Sequence, residues 1–269
     1  MNLLEKILKE TKAPNGENNA VNTLEDISNL RVLVWTFPKT GTMTLCRSFQ
    51  NSIDGTVAFK NVVHCHTEKC WFSQITKDLQ KIDFSFESLI KFINSKGIHP
   101  LVVQSYRCPV EKEVPRINHR LDVGILPYEE SYSFFRNYDG EVEYINYLKN
   151  TFNGIWKHNY DKEKSFGFHH GSEYDILYLT CESINDLPNN IKSTPVLKEY
   201  HNIEIQNTNI REGDKNYTDF KNNFSLSVDD IETMYNIHSE PLNFFYTSDK
   251  ILKMKQKVIK KYVKHRGNK

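Results

Sequence analysis

The segment Val32–Phe49, VLVWTFPKTGTMTLCRSF, constrains the fold more than any other. Arg31–Phe37 is a short, nearly continuous apolar run, and Pro38-Lys39-Thr40-Gly41-Thr42 breaks it. Such a run, too short for a buried helix and bounded by turn formers, predicts a strand covered on both faces, as in a parallel sheet between helices. Thr44–Phe49 then resumes at helical spacing. Comparable runs at Val57–Val63, Leu101–Tyr106 and Tyr174–Thr180 predict three further strands. Phe86, Leu89, Ile90 and Ile93 share one face of a helix over Phe86–Ser95, which Gly97 stops. The aromatic-rich stretch from about residue 130 to 160 reads as helical. Ser227–Tyr235 reads as a helix with Ser227 as N-cap and Asp230 at the third following position. Strands alternating with helices predict an α/β fold, three layers around a central, mostly parallel sheet. No repeat and no Gly- or Pro-rich linker divides the chain. A single domain over 1–249 is expected, with 1–29 as a short N-terminal helix and loop.

Composition narrows the class. Sixteen Phe, 14 Tyr and 3 Trp suffice for a substantial core and argue against a disordered chain. No run of 18 apolar residues exists, so no membrane span is expected. MNLLEKILKE carries Glu5 and Lys6 inside its apolar stretch, unlike a secretory leader. Five cysteines, an odd number, then suit reduced thiols and a cytoplasmic location. The formal charge of +1 conceals an asymmetry: residues 250–269 hold eight lysines and Arg266 with no acid, which leaves 1–249 acidic. In the tail, Ile251, Met254, Val258 and Tyr262 recur at near-helical intervals. An amphipathic helix docked on the acidic body is the plainer reading. Contact with an anionic membrane surface is the alternative, and no base-stacking pattern supports specific nucleic-acid binding.

The turn after the first strand carries the chemistry. Amides at a helix N-terminus have no intrahelical partner, and the helix dipole favours an anion there. Lys39 adds a full charge, Gly41 permits close backbone approach, and the Thr40, Thr42 and Thr44 hydroxyls add donors. The segment is not a Walker A loop, since Lys39 precedes Gly41 and no Gly lies four residues upstream. Composition alone leaves two readings open, a phosphate cradle or an ordinary βα turn bearing a surface lysine.

Pro38-Lys39-Thr40-Gly41-Thr42 resembles the P-K-[ST]-G-[ST] loop with which sulfotransferases grip the 5′-phosphate of 3′-phosphoadenosine 5′-phosphosulfate. The family's second element, R-[DE]-P-x-x-R-x-x-S, is matched by Arg107, Pro109 and the basic Lys112. Cys108 stands at the acidic position and Pro115 at the serine. The chain is most similar to a bacterial branch associated with capsular polysaccharide synthesis. The fragments that carry this likeness are His64-Cys65-His66, Asn153-Gly154-Ile155, Asp161-Lys162-Glu163-Lys164, Ile176–Leu187 with Glu182, Asn209 with Lys215 and Tyr217, and Phe244-Phe245-Tyr246-Thr247. Together they span roughly residues 30–252.

The resemblance implies a P-loop-like sulfotransferase fold. It implies sulfuryl transfer from phosphoadenosine phosphosulfate, the donor substrate, to a hydroxyl of a carbohydrate or polysaccharide. Lys39, Thr40, Gly41, Thr42, Met43 and Thr44 would hold the 5′-phosphate, and Arg107 the 3′-phosphate. Arg211, Gly213 and Lys215 resemble the loop that closes on the 3′-phosphate, with Glu212 in place of a basic residue. A solvated charged loop is the bland reading of the same residues. His64 and His66, expected just past the second strand, are candidates for the base that takes the acceptor's proton. They are equally readable as hydrogen-bonding loop residues. A metal there, with Cys65, Glu68 and Cys70, lacks the second ligand pair that structural zinc spacing asks for, so no metal is expected. His169-His170-Gly171 reads as a surface turn. Two other functions stay open: a P-loop phosphotransferase, and a non-catalytic nucleotide- or glycan-binding protein on a degenerate scaffold. Cys108, Pro115 and Glu212 motivate the latter.

Overall fold

The computed structural model describes residues 29–55, 61–65, 85–122, 124, 126–152, 155–206, 220 and 223–263. Five strands form one sheet in the order β2-β1-β3-β5-β4: β1 Val32–Trp35, β2 Val62–Cys65, β3 Leu101–Tyr106, β4 Phe166–His169 and β5 Asp175–Thr180. Neighbouring pairs among β2, β1, β3 and β5 are parallel, and β4 joins β5 antiparallel at the edge. The helices are α1 Thr42–Asp54, α2 Phe86–Ser95, α3 Pro109–Asp122, α4 Ser131–Phe135, α5 Tyr138–Thr151, α6 Leu187–Lys192, α7 Val228–Ile237, α8 Ser239–Phe245 and α9 Ser248–Tyr262. Three 3₁₀ segments, Tyr128–Glu130, Cys181–Asp186 and Pro195–Tyr200, complete the described elements.

The sheet is buried on both faces, as the unbroken apolar runs require. Val32, Val34, Val62, Leu101, Val103, Leu177 and Leu179 pack on one side with α1, α6 and the 3₁₀ segments that flank α6. Leu33, Trp35, Val63, Val102, Ile176 and Tyr178 pack on the other with α2, α3, α5 and α7–α9. Trp35 meets Phe86 and Phe152 edge-on at 5.2 and 5.7 Å, a geometry that aromatic quadrupoles favour. The protein is therefore α/β, with a mostly parallel five-stranded sheet and helices on both sides. No helix among the described residues is long and apolar enough to cross a membrane.

Local signals that needed no tertiary partner appear where expected. Helix α2 occupies Phe86–Ser95, with Ser85 accepting from the Ser88 amide. Helix α7 starts on a capping box in which Ser227 and Asp230 satisfy each other's backbone amides. Asp230 is further gripped by Arg136 and Tyr138, and the Arg136 guanidinium holds its carboxyl well below the usual range.

Other expectations are corrected. The second strand, expected over Val57–Val63, is described over Val62–Cys65 and runs on past Val63, because Val34 and Trp35 pair with His64 and Cys65; residues 57–60 lie outside the described residues. The section near 130–160 is two helices, α4 and α5, since Asn137 caps a new helix through the Gly140 amide. The edge strand β4 and helix α3 are additional. The N-terminal helix expected at the start of 1–29 falls outside the described residues.

The C-terminal segment forms α9, capped by Thr247. Val258 and Tyr262 are buried in the same core as α7, and the Leu226 amide bonds the Tyr262 carbonyl at 2.9 Å. Its lysines reach acids of the body: Lys255 pairs with Glu232, and Lys261 with Glu111 at 2.6 Å.

Candidate functional site

The strand order reverses direction at β1. The chain leaves β1 for β2 on one side, then returns to lay β3 on the other. Ligand crevices of open α/β sheets form at such a point, beyond the carboxyl ends of the diverging strands. Here those ends lead into Pro38–Gly41 after β1 and into Arg107 after β3.

Two residues of the turn have left-handed backbones, Lys39 at φ 63° and Gly41 at φ 84°. Left-handed residues flanking one at negative φ are the pattern from which backbone anion concavities are built. A side chain at Gly41 would drive into Ile184 and lie 3.7 Å from Cys181 Sγ. The glycine is therefore required by its φ, and a side chain there would also displace the Ile184 side chain of the segment after β5. Gly41→Ala is expected to cost about 1–3 kcal/mol, read as a lowered urea midpoint.

The loop is fastened from below. Thr40 is fully buried and its hydroxyl donates to the Phe37 carbonyl at 2.7 Å. Ser105, near the end of β3, lies with its hydroxyl 2.8 Å from both the Thr40 carbonyl and the Thr40 hydroxyl. The Thr36 and Thr42 hydroxyls bond at 2.9 Å, and Tyr144 of α5 donates to the Thr36 carbonyl at 3.0 Å. Two of the expected ligand hydroxyls, those of Thr40 and Thr42, are thus committed inward, where they hold the turn rather than face a ligand. Met43 and Thr44 remain half-buried. The first intrahelical bond of α1 runs from the Leu45 amide to the Gly41 carbonyl at 3.0 Å. The amides of Thr42, Met43 and Thr44 therefore precede the helix ladder, and no acid occupies the first turn. This is an electropositive helix start with Lys39 beside it.

Arg107 follows β3 directly, about a third exposed, 4.0 Å from Glu111. Its charge also reaches Cys181, whose thiol burial pushes up to about 11 against the pull of the guanidinium. The carboxyl ends of β1, β3 and β5 thus converge on Lys39, Gly41, Arg107 and Cys181.

Lys112, the second basic residue in register with the resembled motif, departs from that role. It is 1% exposed and turns into the core. There it pairs with Glu141 at 2.6 Å and Glu113 at 3.2 Å, and its ammonium lies 4.8 Å from the Phe37 ring centroid. Pro115 sits within α3, where it offers no N–H to the Glu111 carbonyl or to a ligand. Cys108 is buried, its sulfur 3.2 Å from the Tyr235 hydroxyl.

His64 lies inside β2, not beyond it, because it pairs with Val34. Alternation places it on the α1 side of the sheet with Val62 and Val34. Burial lowers its pKa, which keeps the imidazole neutral at pH 7, the form a general base needs. His66, Arg211, Gly213 and Lys215 lie outside the described residues.

Sequence reasoning missed Ser105 and Tyr144, and it read Cys181–Ile184 only as part of the resembled fragment Ile176–Leu187, without placing it against Gly41. The only signal for Ser105 was its polarity at the end of the apolar run LVVQSY. A separate open pocket of about 550 Å³ is lined by Trp156, His158, Tyr160, Lys162, Asn243 and Phe244, among others, and by no loop residue. Comparison of the chain with protein-family models, with curated proteins and with solved structures gave no match.

Proposed function

We propose that the protein is a sulfotransferase of P-loop-like fold that uses 3′-phosphoadenosine 5′-phosphosulfate and sulfates a hydroxyl, with a carbohydrate as acceptor. One observation carries this reading: the helix start behind Lys39 and Gly41 is fastened by Ser105 to the strand that Arg107 directly follows. A bisphosphorylated nucleotide needs two such cationic points on one crevice.

In this reading Lys39 and the amides of residues 40–44 bind the 5′-phosphate. Arg107 takes the 3′-phosphate. The acceptor oxygen attacks sulfur, the bond from sulfur to the bridging phosphate oxygen breaks, and adenosine 3′,5′-bisphosphate leaves. Lys39 and the amides stabilise the negative charge that grows on that bridging oxygen, in a geometry set before the reaction. The acceptor's proton passes to His64 or His66, and no metal is needed by the scheme.

Calorimetry with adenosine 3′,5′-bisphosphate tests the reading. Stoichiometric binding that competes with the sulfated donor is expected, and absence of binding sinks the proposal. A second reading has its own observation. Lys112 faces the core and Pro115 replaces a hydroxyl, so the chain also suits a nucleotide- or glycan-binding protein without transfer activity. Bisphosphate binding without transfer of labelled sulfate to glycan acceptors would select it. A thermal shift with ATP–Mg²⁺ and none with the bisphosphate would select a phosphotransferase instead.

A further inference from the structure

The end of the sheet opposite the Lys39 loop carries its own cluster. His99 precedes β3, Asp175 opens β5, and His170 follows β4. His99 Nε2 lies 2.9 Å and His170 Nδ1 2.7 Å from the same oxygen, Asp175 Oδ1. All three atoms fall within 4.8 Å of one another. We propose that these three atoms form a binding site for a divalent transition metal ion of the zinc type.

The donor set suits such an ion. Imidazole nitrogen is preferred by zinc and its neighbours in the first transition row, whereas calcium and magnesium call for oxygen ligands. Bonds of about 2.0–2.2 Å at right angles or tetrahedral angles separate ligand atoms by roughly 3–3.5 Å. The observed 2.7 and 2.9 Å separations need only small side-chain movements to admit an ion. The imidazoles lie with ring centroids 5.5 Å apart. The Asp175 side chain is 13% exposed, while those of His99 and His170 are 39% and 67% exposed. Protein ligands thus cover one side of the site and water the other, an arrangement that leaves an open coordination position.

The backbone holds the three residues in place. The Asp175 amide bonds the Pro100 carbonyl at 3.0 Å, and Asp175 pairs with Leu101 across β3 and β5. The β4–β5 turn is closed so tightly that a side chain at Gly171 would overlap the Tyr174 carbonyl. This closure sets His170 against Asp175. Asn94, in α2, donates to the Glu173 carbonyl at 3.0 Å and ties the turn to the helix before His99. The site joins β3, β5 and the β4–β5 turn. It is distant in the topology from the proposed donor crevice, so the transfer step does not run through it.

The test uses the full-length protein titrated with Zn²⁺ by calorimetry and with Co²⁺ by visible absorption. One ion per chain is expected, with a rise in melting temperature. His170→Ala and His99→Ala, both exposed changes, should each weaken binding about tenfold or more and remove that rise. Unchanged bisphosphate binding in these variants is expected, which separates this site from the donor site. Failure of the wild-type protein to bind either ion overturns the proposal. Binding that neither variant weakens overturns it as well, since the ion then sits elsewhere in the chain.

Discussion

Lys39→Ala is expected to weaken adenosine 3′,5′-bisphosphate by about ten- to a hundredfold while the chain stays folded. A charge-assisted hydrogen bond to an ionised phosphate is worth about 1.5–3 kcal/mol, which sets that range. The fold is expected to be indifferent for a backbone reason. Lys39 already sits at φ 63°, so alanine meets the same left-handed penalty that lysine does. The fastening of the turn runs through Thr40, Ser105, Thr36 and Thr42, and those bonds do not involve the Lys39 ammonium. Arg107→Ala should weaken the 3′,5′-bisphosphate but spare adenosine 5′-monophosphate, which has no 3′-phosphate. Lys39→Ala should weaken both. If the two variants instead lower both affinities equally, the assignment of separate phosphates to the two cations fails. If Lys39→Ala changes neither affinity, the loop is not the anion site.

What the sequence disclosed divides along physical lines. Strand β3 and helix α2 were legible because each is specified locally, by an unbroken apolar run and by an apolar stripe with a cap. The turn after β1 was legible as a strand-to-helix turn for the same reason, since a proline, a lysine and a glycine break the apolar run just before helical spacing resumes. Strand β4 was not legible. FGFH holds a glycine and a histidine and has no run of its own, and it becomes a strand through its ladder with β5. The burial of Lys112 was not legible, since in sequence the residue only matches the basic position of the resembled motif. It is buried only because Glu141, 29 positions later, and Glu113 meet it there. Thr40 shows the same limit at the site itself. Its hydroxyl reads as a ligand donor in sequence and is spent on Phe37 once β3 brings Ser105 beneath the loop. The His99–His170–Asp175 cluster needed the parallel pairing of β3 with β5 before its members became neighbours.

The ion network around Lys112 carries the largest expected effect on stability. Lys112 and Glu113 are each 1% exposed, His238 is fully buried, and Glu141 is nearly so. Glu141 accepts from Lys112 at 2.6 Å and Arg116 at 3.2 Å and lies 3.0 Å from His238 Nε2. His238 Nδ1 in turn meets the Tyr106 hydroxyl at 2.9 Å. Burial raises the Glu141 carboxyl, but Lys112, His238 and Arg116 outweigh it and hold the group well below the usual carboxylate range. Glu141→Ala leaves a buried ammonium with Glu113 as its remaining close acid and is expected to cost about 3–5 kcal/mol. The double variant Lys112→Met, Glu141→Leu should recover most of that loss, because it removes both charges and keeps the volume. A single-variant loss below about 1 kcal/mol in urea unfolding would show that the pair is not buried as described. His238 adds a pH dependence of definite sign. Burial pushes it down to about 4, against the upward pull of Glu141 and with Lys112 and Arg116 opposing its protonation. Between about 6.5 and about 4 the unfolded chain binds a proton that the folded chain does not, so stability falls as pH drops through that window. The loss approaches about 3 kcal/mol at its lower end, and His238→Gln should flatten it. These variants also report on the candidate site. Lys112 packs on Phe37, Tyr106 meets the same ring at 5.5 Å, and α5 places Glu141 one turn before Tyr144, which holds the Thr36 carbonyl. The buried charges are the floor of the loop. Glu141→Ala is therefore expected to weaken bisphosphate binding even where the chain remains folded, with the double variant restoring it.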